Sequence, residues 1–131
     1  MNIKELRYGN LVIDNIGIVE IGKNAKLEFC DIYNPILINE EWLLKFGFEF
    51  DNYHVSPDFE TESDYNPIQY YKLKINKYCN YFFGLMPDNY NEFGIKAAGN
   101  EIVLKFGIKY VHQLQNLYYS LTEKELICEK N

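Results

Sequence analysis

YKLKINKYCNYFFGLMPDNYNEFGIKAAGNEIVLKF, residues 71–106, decides the fold. Tyr71, Leu73 and Ile75 alternate with Lys72 and Lys74, and Asn76-Lys77 then turns the chain into Tyr81, Phe83 and Leu85. Pro87-Asp88-Asn89 marks a second turn, after which Phe93, Ile95 and Ala97 alternate with Glu92 and Lys96. Gly99-Asn100 suits a tight two-residue connection to Ile102, Leu104 and Phe106. A period of two between turn residues predicts an antiparallel meander with one face on a core and the other wetter.

Upstream, residues 48–56 carry the same period: Phe48 and Phe50, the turn signal Asp51-Asn52, then Tyr53 and Val55, which reads as a hairpin. Pro57 to Pro67 has no usable period and is predicted to be an acidic surface loop carrying Asp58, Glu60, Glu62 and Asp64. Asn39 is placed to cap a short helix. Glu40 and Glu41 favour its positive end, Ile38 and Leu43 sit at the positions of a hydrophobic staple, and Gly47 can end it left-handed.

Residues 1–38 read as short β-runs, Leu11 to Ile13, Ile18 to Ile21, Leu27 to Ile32 and Ile36 to Ile38, separated by Asp14-Asn15, Gly22-Lys23-Asn24 and Pro35. They predict a small curled β-sheet or SH3-like barrel. Over 109–122 Tyr110, Val111, Leu114, Leu117, Tyr118 and Leu121 recur at helical spacing on an arc of roughly 120°. Thr122 and Glu125 are spaced as a capping box for one more turn. The expectation is a single α+β domain over 1–131, with an N-terminal β part (1–38), a short helix (39–47), a meander (48–108) and a C-terminal amphipathic helix (109–122). Its core is predicted to hold Trp42, Leu43, Phe46, Leu104, Phe106, Leu114, Leu117 and Leu121.

Three stretches carry a resemblance: Glu5-Leu6-Arg7-Tyr8-Gly9-Asn10, the run from Glu40-Glu41-Trp42 to Phe48, and Tyr110-Val111-His112-Gln113-Leu114-Gln115-Asn116-Leu117-Tyr118. Together they resemble a family of small bacterial and phage or mobile-element proteins to which no activity is assigned. The resemblance implies a phage or mobile-element origin and brings no substrate.

The composition, 47% hydrophobic and 17% aromatic with 24% charged, is that of a folded globular chain. The first residues, with Lys4, Glu5 and Arg7, form no apolar leader, and no stretch approaches the roughly 20 apolar residues that span a bilayer, so a cytoplasmic protein without a membrane is expected. Cys30, Cys79 and Cys128 are widely spaced and fit free thiols. The net charge of −6 is concentrated in residues 40–64, where eight carboxylates face Lys45 alone.

Catalytic chemistry finds little footing. His54, His112 and three isolated cysteines offer no close ligand pair for zinc, and Asp58 to Asp64 lack the glycine and spacing of a calcium loop. No Gly-rich phosphate loop or nucleophile elbow occurs, so no cofactor is expected. The single enzymatic reading is a Cys79 thiolate activated by a histidine. One arginine and a pI near 4.9 argue against a nucleic-acid partner, although residues 72–109 hold Lys72, Lys74, Lys77, Lys96, Lys105 and Lys109 against three acids and allow a local basic patch.

A non-enzymatic protein that works through protein surfaces is therefore the leading expectation, supported by abundant tyrosine. The alternative is an acidic decoy whose carboxylates, Asp58, Glu60, Glu62 and Asp64 among them, occupy a basic nucleic-acid-binding surface of another protein. The face of the last helix opposite its apolar arc, with His112, Gln115, Asn116 and Tyr119, carries no Lys, Arg, Asp or Glu. This suggests that something covers it, either the chain itself or a second molecule, including another copy in a homo-oligomer; a face that is simply exposed is the remaining alternative.

Overall fold

The computed structural model describes residues 5–51 and 68–128, apart from the Cys30 side chain. The fold is α+β, and its contacts gather into two compact units. One comprises Met1–Ile38 with Lys109–Ile127, the other Asn39–Ile108 with Cys128–Asn131.

In the first unit β1 (Leu11–Ile13) and β2 (Ile18–Glu20) form an antiparallel ladder with Val12 opposite Val19. Asp14 makes the connection. Its carboxylate accepts from the N–H groups of Ile16 (2.8 Å) and Gly17 (2.9 Å), and these bonds hold its pKa below the ordinary value. Single bridges from Ile13 to Asn34 and from Ile21 to Ala25 extend the ladder, which remains open rather than closing into a barrel.

The segment Leu27–Ile32, expected as a strand, is a 3₁₀ helix interrupted at Phe29. Leu27 and Tyr33 lie on the inward side, while Phe29 and Ile32 stay exposed. The Tyr33 hydroxyl then accepts from the Lys26 N–H and donates to the Lys26 carbonyl, both at 2.9 Å, which secures the turn. Leu6, Val12, Ile21 and Tyr33 form the core here, with Val19, Ala25 and Leu27 against it. Ile36 to Ile38 makes one bridge, Leu37 to Tyr110, instead of a strand.

Helix α2 (Val111–Thr122) completes this unit. The side chain of Gln113 reaches back and accepts from the N–H groups of Lys109 (2.9 Å) and Tyr110 (3.1 Å), satisfying groups that a helix start leaves open. Glu123 ends it in the left-handed conformation. Thr122 starts no further helical turn, because its hydroxyl accepts from the Lys124 N–H in a local turn. Leu114 is buried, but Leu117 is only half-buried and Leu121 is exposed, so the apolar arc is covered along its first half alone.

The second unit opens with α1 (Glu40–Lys45), whose cap is as expected: the Asn39 side chain accepts from the Trp42 N–H at 3.0 Å. Gly47, at φ +95°, turns the chain out of the helix. A five-stranded antiparallel sheet follows, ordered β3 (Glu49–Phe50), β4 (Gln69–Asn76), β5 (Cys79–Leu85), β6 (Asn91–Ala97) and β7 (Asn100–Ile108). Phe50 pairs with Tyr71 of β4; its expected hairpin mates Tyr53 and Val55 lie outside the described residues, as does His54.

One central row, Tyr71, Phe83 and Phe93, is fully buried, with Phe48 edge-on to Phe83 at 6.5 Å. The Tyr71 hydroxyl donates to Glu40 at 2.7 Å, and burial together with that carboxylate pushes its pKa up. On the opposite face Tyr70 donates to Glu92 at 3.1 Å, and burial, then Glu92, push its phenol up to about 12. The ring of Phe82 lies over Gly94, where a side chain would strike both that ring and the Ile102 carbonyl. The β6–β7 turn is centred on Ala98-Gly99, one residue earlier than expected, with positive φ at both (52° and 81°).

Two irregularities decide β7. Register slips by one residue at Leu104 and again at Gly107, so the alternation of Ile102, Leu104 and Phe106 does not keep one face. Ile102 shares a face with Lys105, and Phe106 falls on the other. Leu104 and Phe106, expected in the core, are exposed, whereas Trp42, Leu43 and Phe46 are buried.

Candidate interaction surfaces

The uncharged face of α2 is covered by its own chain. The Gln115 amide donates to the Gly9 carbonyl at 3.1 Å and accepts from the Leu11 N–H at 2.9 Å. Asn116 donates to the Glu5 carbonyl at 2.9 Å and accepts from Asn10 (2.8 Å) and from the Arg7 guanidinium (3.1 Å). Arg7 also pairs with Glu125 and lies 4.3 Å above the Tyr119 ring. The first and last of the three stretches singled out in the sequence, Glu5 to Asn10 and Tyr110 to Tyr118, are thus the two halves of one polar clamp.

His112 is buried on the same helix, stacked on Tyr110 at 5.9 Å, with neither ring nitrogen hydrogen-bonded among the described residues. Its Nε2 lies 4.0 Å from a Glu5 carboxylate oxygen. Burial pushes the imidazole pKa down, against a smaller upward pull from Glu5. Tyr119 is the most exposed of the four, at 39%, and lies beneath Arg7. Nothing in the local pattern marked Arg7, Asn10 or Gln113 as partners; the sole arginine beside a helix face rich in amides was the available signal.

Asp58, Glu60, Glu62 and Asp64 lie outside the described residues. Cys79 begins β5 in the second unit, whereas His112 lies in α2 of the first. Among the described residues there is no group of three His, Cys, Asp or Glu able to hold a metal ion, and no helix long and apolar enough to cross a membrane.

Two further surfaces are open among the described residues. In the first unit an open cavity of about 1270 Å³ is lined by Tyr8, Ile21, Phe29, Ile32, Tyr33 and Glu125 among others. Its walls mix carboxylates, lysines and apolar groups. In the second unit β7 is the edge of the sheet, nine residues long, with Ile102 57%, Val103 37%, Leu104 41% and Phe106 55% exposed. Apolar side chains on both faces of an edge strand are what a soluble protein ordinarily avoids.

No family model, curated protein or solved structure matches the chain.

Proposed function

We propose that the chain is a non-enzymatic interaction or accessory protein of bacterial or phage origin, acting in the cytoplasm and binding an extended segment of a protein partner along β7. The observation that supports this reading is the exposure of Ile102, Val103, Leu104 and Phe106 on a nine-residue edge strand. Strand addition supplies main-chain hydrogen bonds, and alternate side chains choose the partner. The bulges at Leu104 and Gly107 set a limit: the regular stretch is Asn100 to Val103, so the added segment is short and its specificity comes from the apolar contacts.

Capture from the native host at physiological salt is the test, with wild type beside Ile102→Lys/Phe106→Lys. Wild type retains a partner that the variant loses, and β7 amides gain protection from hydrogen exchange in the complex. A partner held equally by both proteins would defeat the β7 assignment, and a clean monomer with no partner would defeat the interaction reading itself.

A further inference from the structure

The sheet register assembles a basic groove that the strand-edge reading does not use. Lys74 is opposite Asn80, which is opposite Lys96, so one row across β4, β5 and β6 runs lysine, asparagine, lysine. Two strand spacings place the lysine Cα atoms about 10 Å apart. Lys72 lies two residues along β4 on the same face, and Lys77 and Tyr78 form the turn between β4 and β5. Together they line an open groove of about 700 Å³.

Its carboxylates are few. Glu101 is 3.7 Å from Lys96, and Glu49 is the register neighbour of Lys72. Lys72, Lys74 and Lys77 have no carboxylate within ion-pair distance among the described residues. Like charges gathered on one small surface repel one another, and a bound polyanion removes that repulsion. At the lip Tyr78 is 74% exposed, with the Lys77 ammonium 5.5 Å from its ring centroid.

We infer that this groove binds single-stranded nucleic acid, the lysines tracking the backbone phosphates and Tyr78 stacking a base. Point-charge lysines beside an exposed ring are the elements of sequence-tolerant strand binding. An acidic peptide would use the lysines and leave Tyr78 idle. The absence of arginine from this unit fits backbone contact without base reading, since the chain's one guanidinium is held in the Asn116 clamp. The inference does not rest on the β7 assignment, because the groove residues and the apolar residues of β7 are different sets.

The test is the fluorescence anisotropy of a labelled oligothymidylate of roughly ten nucleotides, a length within known site sizes. With three or four phosphates neutralised, log affinity falls with log salt at a slope of about −2 to −3. Lys74→Gln and Lys77→Gln, both at exposed positions, each reduce that slope by about 0.7. Tyr78→Ala weakens binding by about fivefold or more and leaves the slope unchanged. Lys105→Gln, exposed but outside the groove, changes nothing. Circular dichroism shows that each variant is folded. The inference is overturned by no binding at low salt, or by equal binding of wild type and a Lys74→Gln/Lys77→Gln/Tyr78→Ala variant. It is overturned equally if polyglutamate or pyrophosphate displaces the oligonucleotide at equal charge while Tyr78→Ala binds as wild type does.

Discussion

Gln115 shows how one side chain can hold two distant parts of a chain together. Both ends of its amide are bonded to backbone of the segment Gly9 to Leu11, so an apolar residue of similar size would leave an N–H and a carbonyl unsatisfied. Gln115→Leu should lower stability by roughly 2–4 kcal/mol, measured by urea denaturation, and an effect under about 0.5 kcal/mol would show that water replaces both bonds. His112, one turn earlier, makes stability depend on pH. Its folded pKa lies below the unfolded value of about 6.5, so the unfolded chain takes up the proton first. The stabilisation is complete above pH 6.5 and is lost as pH falls through the folded pKa. Urea midpoints should therefore drop more steeply between pH 7 and 5 in wild type than in His112→Phe, and parallel curves would contradict this assignment.

At the scale of elements, the second face of the sheet depends on a missing side chain. Phe82 is buried because Gly94 leaves room for its ring between neighbouring strands. Gly94→Ala should cost about 3 kcal/mol, since the new methyl meets both a ring and the backbone carbonyl of Ile102 and no single movement relieves both. Thermal denaturation checks it, and an unchanged midpoint would mean that β6 and β7 part without penalty. Much of this architecture could be read in advance. Tyr71, Phe83 and Phe93 announce their row by period, and Asn39 announces α1 by its chemistry. What escaped prediction has a common physical origin. A bulge inserts one residue without a local signature and reverses the side chains that follow it, which put Phe106 on the face opposite Ile102, and both stay exposed on the edge strand. Likewise a period-two pattern in Leu27 to Ile32 was too short to exclude a period of three. The partners of Gln115 and Asn116 lie more than 100 residues away, beyond any local pattern.

For the whole molecule, charge and exposed apolar surface act together. With a sequence pI near 4.9, repulsion between molecules vanishes near pH 5, where Ile102, Val103, Leu104 and Phe106 are free to associate. Turbidity should peak there and clear by pH 7, and Ile102→Lys/Phe106→Lys should both raise the pH of the peak and lower its height. A peak of unchanged height would remove β7 as the contact. The clamp between Arg7 and α2 has a further consequence, one of timing. Arg7 and Asn116 are 109 residues apart, with the whole five-stranded sheet encoded between them. At about 5–20 residues per second a ribosome needs roughly 5–20 s to pass from one to the other. For that interval the residues of β1 and β2 have been synthesised but have no helix to close against, and the Gly9 carbonyl and Leu11 N–H stay with water until Gln115 has been added.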